Sequence, residues 1–168
     1  MPSNTSQILI RPFHPDDQSA AKALILAGLA EHWGWLDPTC NPDLDDITTS
    51  YADALFLVAY LAGQVVGTGA LLRRSQTIAE IVRMSVAKPY RQRGIGRLIL
   101  THLVDMARQT GFKQVVLETT ASWHEVVQFY KNNGFQVTHY QDGDIYFCLD
   151  LTRPNKPSQP GWQQEKEE

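Results

Sequence analysis

The chain has 168 residues, 43% of them hydrophobic, and carries 15 Lys and Arg against 18 Asp and Glu, for a formal net charge of −3. That length and apolar share suit one domain with its own core and argue against a second full domain. The acidic balance excludes a global pull toward nucleic acid or anionic membrane, so any anion binding has to come from a local basic cluster.

In chain order, Ile8-Leu9-Ile10 before Arg11-Pro12 reads as a short opening strand. His14-Pro15-Asp16-Asp17 reads as a turn whose aspartates cap a following helix. Leu26, Leu29, Ala30 and Trp33 fall at helical spacing. Gly34 to Asp46, with Pro38 and Pro42, is a loop leading into another helix near Ile47 to Tyr51. Leu55 to Leu61 and Val65 to Leu72 are β-rich runs joined by the hairpin signal Ala62-Gly63-Gln64, and Ile78 to Val86 completes an antiparallel meander. Ile95, Leu98, Ile99, Leu103 and Met106 then mark one face of a long helix that Gly111 ends. Val115-Val116-Leu117 is a short buried strand. A right-handed crossover sets it parallel to the strand ending at Val86. A helix from about His124 to Asn132 stops at Gly134, and Phe135 to Tyr140 and Ile145 to Leu151 form a last hairpin around Gln141-Asp142-Gly143-Asp144.

Residues 1–151 therefore form the expected domain. The stretch 152–168, with Pro154, Pro157, Pro160 and a charged end, is expected to be disordered. Met1 to Gln7 is polar and lacks signal-peptide character, and no run of about 20 apolar residues could span a bilayer, so a cytoplasmic protein without membrane partners is expected. Cys40 and Cys148 lack the paired spacing of zinc or redox motifs, and no metal site is expected.

The chemistry concentrates in Arg91-Gln92-Arg93-Gly94-Ile95-Gly96-Arg97, between a strand and a helix. Glycines let the backbone approach a ligand, the first helical turn offers unpaired N–H groups, and Arg91, Arg93 and Arg97 add charge, so a diphosphate suits this segment. A Walker loop would need Lys-Ser/Thr after the glycines, where Arg97-Leu98 stand, and a dinucleotide fingerprint would need a third glycine at Ile99. The plainer alternative is a tight turn with a solvated basic helix start.

Arg91, Gly94 and Gly96 resemble the Gln/Arg-x-x-Gly-x-Gly/Ala acetyl-CoA signature of the GNAT superfamily. Phe129-Tyr130-Lys131-Asn132-Asn133-Gly134-Phe135 is similar to its aromatic-Tyr element before Gly-Phe, at a family-like separation. The resemblance implies an α+β fold: a mixed, mostly antiparallel sheet of about seven strands with a splayed parallel pair, flanked by about four helices. It also implies acetyl-CoA as acyl donor, with the N–H groups from Arg93 to Arg97 on its pyrophosphate. Main-chain groups of Met84, Ser85 and Val86 would pair with the pantetheine arm. Trp123 stands where many members carry an asparagine, so Ser122 or Thr120 would have to replace that contact.

Amine attack on a thioester needs a neutral amine, a holder for the oxyanion and a proton for the thiolate. Tyr130 resembles the family's general acid, although its helical spacing with Trp123, Val126 and Val127 also fits a core aromatic. Ala79-Glu80-Ile81-Val82 resembles the strand carrying a general-base glutamate, and strand parity puts Glu80 on the side of Val82 and Met84 unless a bulge intervenes. Trp33, Trp35, His32 and the acidic loop with Asp43, Asp45 and Asp46 occupy the region of the family's substrate lid, which suits a cationic amine. His102 and His139 read as structural. The expected activity is N-acetylation of a primary amine on a small molecule or peptide, with an acyl-CoA sensor as the alternative and nucleic-acid binding ranked last. A homodimer is compatible with the resemblance, but no exposed apolar stripe marks one.

Overall fold

The computed structural model describes residues 7–37 and 39–153. Continuous buried runs, Phe56 to Ala59 and Val66 to Leu71, mark strands covered on both faces. These belong to β2 (Leu55–Leu61) and β3 (Gln64–Arg73), joined by a turn in which Ala62 and Gly63 both have positive φ. With β1 (Leu9–Pro12), β4 (Ile78–Val86), β5 (Gln114–Thr120), β6 (Gln136–Gln141) and β7 (Asp144–Asp150) they form a 7-stranded sheet in the order β1-β2-β3-β4-β5-β7-β6. All neighbours are antiparallel except β4 and β5, as the expected fold requires.

Strand alternation sends side chains to two cores. On one face, α1 (Gln18–Trp33) and α2 (Ile47–Ser50) bury Ala21, Ile25 and Ile47 against Phe56, Val58 and Ala70. On the other, α3 (Ile95–Thr110) and α4 (His124–Asn132) bury Ile95, Ile99, Leu103 and Tyr130 against Leu57, Ala59, Ile81, Val115, Leu117 and Phe147. Gly67 and Gly69 let α3 press onto β3: a Cβ at either would lie 2.7 Å from an Ile99 carbon.

Asp17 differs from expectation. It makes no side-chain cap on α1; it is 2% exposed, accepts from Arg11 at 2.9 and 3.1 Å and from the His14 N–H at 2.8 Å, and bonds the Tyr60 hydroxyl. A buried carboxylate needs such partners more than an exposed helix end needs a cap.

Two irregularities position the site. The register between β3 and β4 slips so that Thr68 faces Ser85 while Ala70 faces Val82, a bulge at Arg83 and Met84 with Arg83 at φ 57. The bulge corrects the parity expectation. Val82 packs on the α1 side, whereas Met84 beyond the bulge packs on the α3 side. Second, the parallel pairing of β4 with β5 stops at Glu80 and Val116, while β4 continues to Val86 and β5 to Thr120. The strands splay there, leaving facing backbone edges unpaired. The expected disordered tail falls on 154–168, outside the described residues, apart from Thr152 and Arg153.

Candidate functional site

The splay opens a cleft of about 1080 Å³ that passes from the α3/α4 face to the α1 face of the sheet. Its lining includes Met84, Ser85 and Val86 of β4, the turn residues Arg91, Gln92 and Gly94, the helix start Ile95, Gly96 and Arg97, and Tyr130. The expected cofactor-binding residues thus converge, with Arg93 outside the lining; its guanidinium lies 5.4 Å from the Tyr90 ring centre.

At the head of α3 the turn residues Gln92 and Gly94 have φ 62 and 81, a left-handed alternation that turns successive amides toward one concavity. The Arg91 N–H still bonds Lys88 O at 3.3 Å, and the first helical bond runs from Leu98 N–H to Gly94 O at 3.0 Å. Between them, among the described residues, the N–H groups of Gln92 through Arg97 have no acceptor. These donors and the positive helix end form an anion-binding corner. Gly96 keeps its approach open, since a Cβ there would sit 3.5 Å from Val86 and 3.6 Å from the Phe129 ring.

Arg91 lines the cleft, and its charge is paired within the protein. Its guanidinium bonds Glu31 at 2.6 and 3.1 Å and Val86 O at 2.9 Å, tying the end of α1 to the turn. The Arg91 hydrogen bond holds the Glu31 carboxyl below its ordinary value. This salt bridge joins residues far apart in sequence, which spacing alone could not show.

Tyr130 is 5% exposed and lines the cleft. Its ring packs edge-on against Phe129 and Phe135, with centroids 5.1 and 5.7 Å apart. Among the described residues its hydroxyl has no hydrogen-bond partner, and burial pushes the phenol strongly up, so it stays protonated. Phe129, expected in the core, also lines the cleft.

The α1 side of the cleft carries Ile25, Gly28, Leu29, His32 and Trp33. His32 stacks on Trp123 at 4.0 Å, and Trp33 meets the same ring edge-on at 5.5 Å. Trp123 therefore supplies a wall joining α1 to the start of α4 in place of an amide contact. Thr120 lines the cleft; Ser122 does not.

Two expected site residues lie elsewhere. Glu80 is outside the lining, its carboxylate held by Arg74. It points to the α1 face at the last paired position, before the strands part. Trp35 is 73% exposed and also outside. The loop aspartates serve structure: Asp43 accepts from Arg83 at 2.7 and 3.0 Å and from Tyr51 at 2.6 Å, Asp45 pairs with Lys22 at 2.7 Å, and Asp46 caps α2 through the Thr49 N–H at 3.1 Å. His102 bonds Leu98 O at 2.8 Å and His139 stacks on Tyr146 at 4.2 Å, both structural as expected.

Sequence reasoning missed Arg83, Glu118 and Asp144, which all line the cleft. Alternation does place Glu118 opposite Val115 and Leu117, but that its face is open, and that β7 lies beside it, follows from strand order alone. Among the described residues no group of three or more His, Cys, Asp or Glu could hold a metal ion, and no helix is long and apolar enough to cross a membrane.

The sequence profile described as the acetyltransferase (GNAT) family matches residues 23–135. The probable N-acetyltransferase camello of Xenopus tropicalis is 35% identical over 123 residues, 68% of this chain and 56% of that protein. The chain spans about half the length of the curated relatives it matches. Among solved structures, a GNAT-family acetyltransferase from Staphylococcus aureus Mu50 superposes with TM-score 0.79 at 22% identity, covering 86% of this chain and 99% of that one. The PaiA N-acetyltransferase of Thermoplasma acidophilum, in complex with coenzyme A, superposes with TM-score 0.76 at 19% identity, covering 86% and 99%. With the profile spanning most of the described domain and the cleft built where the sheet splays, the chain belongs to the acetyltransferase (GNAT) family.

Proposed function

We propose that this chain is an N-acetyltransferase that transfers the acetyl group of acetyl-CoA directly to a primary amine within a ternary complex. The observation that carries the reading is the run of N–H groups from Gln92 through Arg97 that have no acceptor among the described residues, beside the same cleft as the β4 edge beyond Glu80 and the Tyr130 hydroxyl.

The residues fit the donor. The amides at the head of α3, with Arg97 beside them, hold a diphosphate. The free edge at Met84, Ser85 and Val86 pairs an extended amide-bearing arm as an added strand would. Coenzyme A in the similar PaiA structure supports this fit. Acetyl-CoA supplies the activated thioester. The bulge at Arg83 and Met84 interrupts the β3–β4 ladder beside the gap, and a main-chain N–H of this stretch would polarise the thioester carbonyl. The protonated Tyr130 hydroxyl, without a hydrogen-bond partner among the described residues, donates to the leaving sulfur. Glu80 lies outside the lining and is engaged by Arg74, which leaves removal of the amine proton to water. Trp33 and Trp123 meet edge-on and form a wall on the α1 side.

The test is coenzyme A release from acetyl-CoA across an amine panel, for the wild type and Tyr130→Phe. Amine-dependent release is expected, with kcat in Tyr130→Phe lower by about 10²–10⁴ and acetyl-CoA affinity retained. Tight acetyl-CoA binding with no turnover of any amine would make the chain a sensor, and full activity in the variant would remove Tyr130 from the mechanism.

A further inference from the structure

The chain on either side of the anion corner is anchored. Before it, the Ala87 N–H donates to Val66 O at 2.8 Å; after it, Ile95 is buried in the α3/α4 core. The link between them is irregular. Gln92 holds φ 62, a left-handed conformation that a residue with a side chain keeps only where its surroundings enforce it. Within 91–97, and among the described residues, Arg91 alone makes side-chain hydrogen bonds. Its Nε donates to Val86 O at 2.9 Å, and its two terminal nitrogens donate to the Glu31 carboxylate at 2.6 and 3.1 Å. A planar fork on a carboxylate fixes orientation as well as distance. Glu31 thereby keeps one guanidinium on the end of β4, one residue before the strained Gln92. Val86 also borders the gap at Gly96.

Glu31 itself is outside the cleft lining; it faces a smaller cavity of about 280 Å³ beside the cleft, with Leu24, Ala27 and Lys88. The Arg91 and Glu31 side chains are 38% and 32% exposed, and an ion pair so open to water adds little to global stability. On charge alone a carboxylate near a diphosphate site opposes the ligand. Any benefit of Glu31 to the donor therefore comes through geometry, and the two effects have opposite signs. The end of α1 has a separate hold, since His32 stacks on Trp123 at 4.0 Å and Trp33 meets that ring edge-on. Loss of the bridge would free the turn rather than the helix.

We infer that Glu31 is a positioning residue for the donor: through Arg91 it fixes the end of β4 and the turn at Gln92, so that the amides of Gln92 through Arg97 converge before the diphosphate arrives. The inference rests on the acetyl-CoA reading of the cleft and adds to it a residue that touches no donor atom.

Calorimetry with coenzyme A compares the wild type with Glu31→Gln, Glu31→Asp, Arg91→Lys and the double variant Glu31→Gln/Arg91→Lys. Kd should rise about tenfold in Glu31→Gln although a negative charge has gone, and by a similar factor in Glu31→Asp, which keeps the charge but is one methylene short of the fork. The double variant should bind no more weakly than Arg91→Lys, because both substitutions break one clasp. Melting temperatures should stay within about 2 °C of the wild type. With any amine that the wild type acetylates, KM for acetyl-CoA should rise by the same factor in Glu31→Gln, while kcat at saturating donor and KM for the amine stay within about twofold. Equal or tighter binding in Glu31→Gln, wild-type affinity in Glu31→Asp, additive losses in the double variant, or a fall in kcat with KM unmoved overturns the inference. A wild type that binds no coenzyme A overturns it together with the donor reading. Coenzyme A binding without turnover of any amine counts against the transferase reading alone, and the order of the Kd values still decides the role of Glu31.

Discussion

Thr68 is wholly buried, and its hydroxyl donates to the carbonyl of Arg83 at 2.7 Å. That bond pins the bulge from the neighbouring strand, where Arg83 holds a left-handed conformation that costs a side-chain-bearing residue about 1–2 kcal/mol. Thr68→Val keeps the shape and removes the donor, leaving a buried carbonyl unsatisfied. It should lower stability by about 1–3 kcal/mol, read from the urea unfolding midpoint, and reduce kcat more than acetyl-CoA affinity as the bulge amides lose their aim. A variant as stable and active as the wild type would show that the bulge holds itself. Neither residue stands out in the sequence, because a bulge is a mismatch between two strands and no single strand records it.

At the scale of elements, the loop before α2 is fastened to β4 by a small network. Arg83 reaches Asn41 at 3.2 Å and Asp43 at 2.7 Å, and Tyr51 donates to Asp43 at 2.6 Å. Burial alone would raise the Asp43 carboxyl, but hydrogen bonds from Arg83 and Tyr51 outweigh it and hold the group below its ordinary value. Burial, then the bond to Asp43, pushes the Tyr51 phenol up to about 12 from 10.0. The unfolded chain therefore releases this proton first. The stability it carries is whole below about pH 10 and is lost as pH rises through about 12. Tyr51→Phe removes the titration, so the wild type should lose thermal stability more steeply than the variant over that window. Parallel curves would contradict the network.

Over the whole molecule, the local signals were legible: the hairpin turn at Ala62 and Gly63, the α3 stripe ended by Gly111, and β4 from Ile78 to Val86 all stand where periodicity and turn chemistry put them. The anion corner was legible too, since glycine spacing and helix start are adjacent in sequence. What escaped were pairings between distant segments: β7 slotting between β5 and β6, Arg91 bound to Glu31, the Trp123 stack on His32, and the acidic α1 end of the cleft. Each depends on which face meets which, and long-range packing decides that. It also explains why Glu80 and Trp35 matched by resemblance yet lie outside the cleft lining.

The account depends on the free amides at the head of α3 receiving the donor's phosphates through the gap that Gly96 leaves beside Val86 and Phe129. Gly96→Val fills that gap from a position with ordinary helical geometry. Titration calorimetry with acetyl-CoA is the direct test. One-to-one saturable binding is expected for the wild type, weakened on the order of 100-fold in Gly96→Val, about 2.7 kcal/mol, with the melting temperature of the free protein preserved. No heat from the wild type, or equal affinity in the variant, would contradict it.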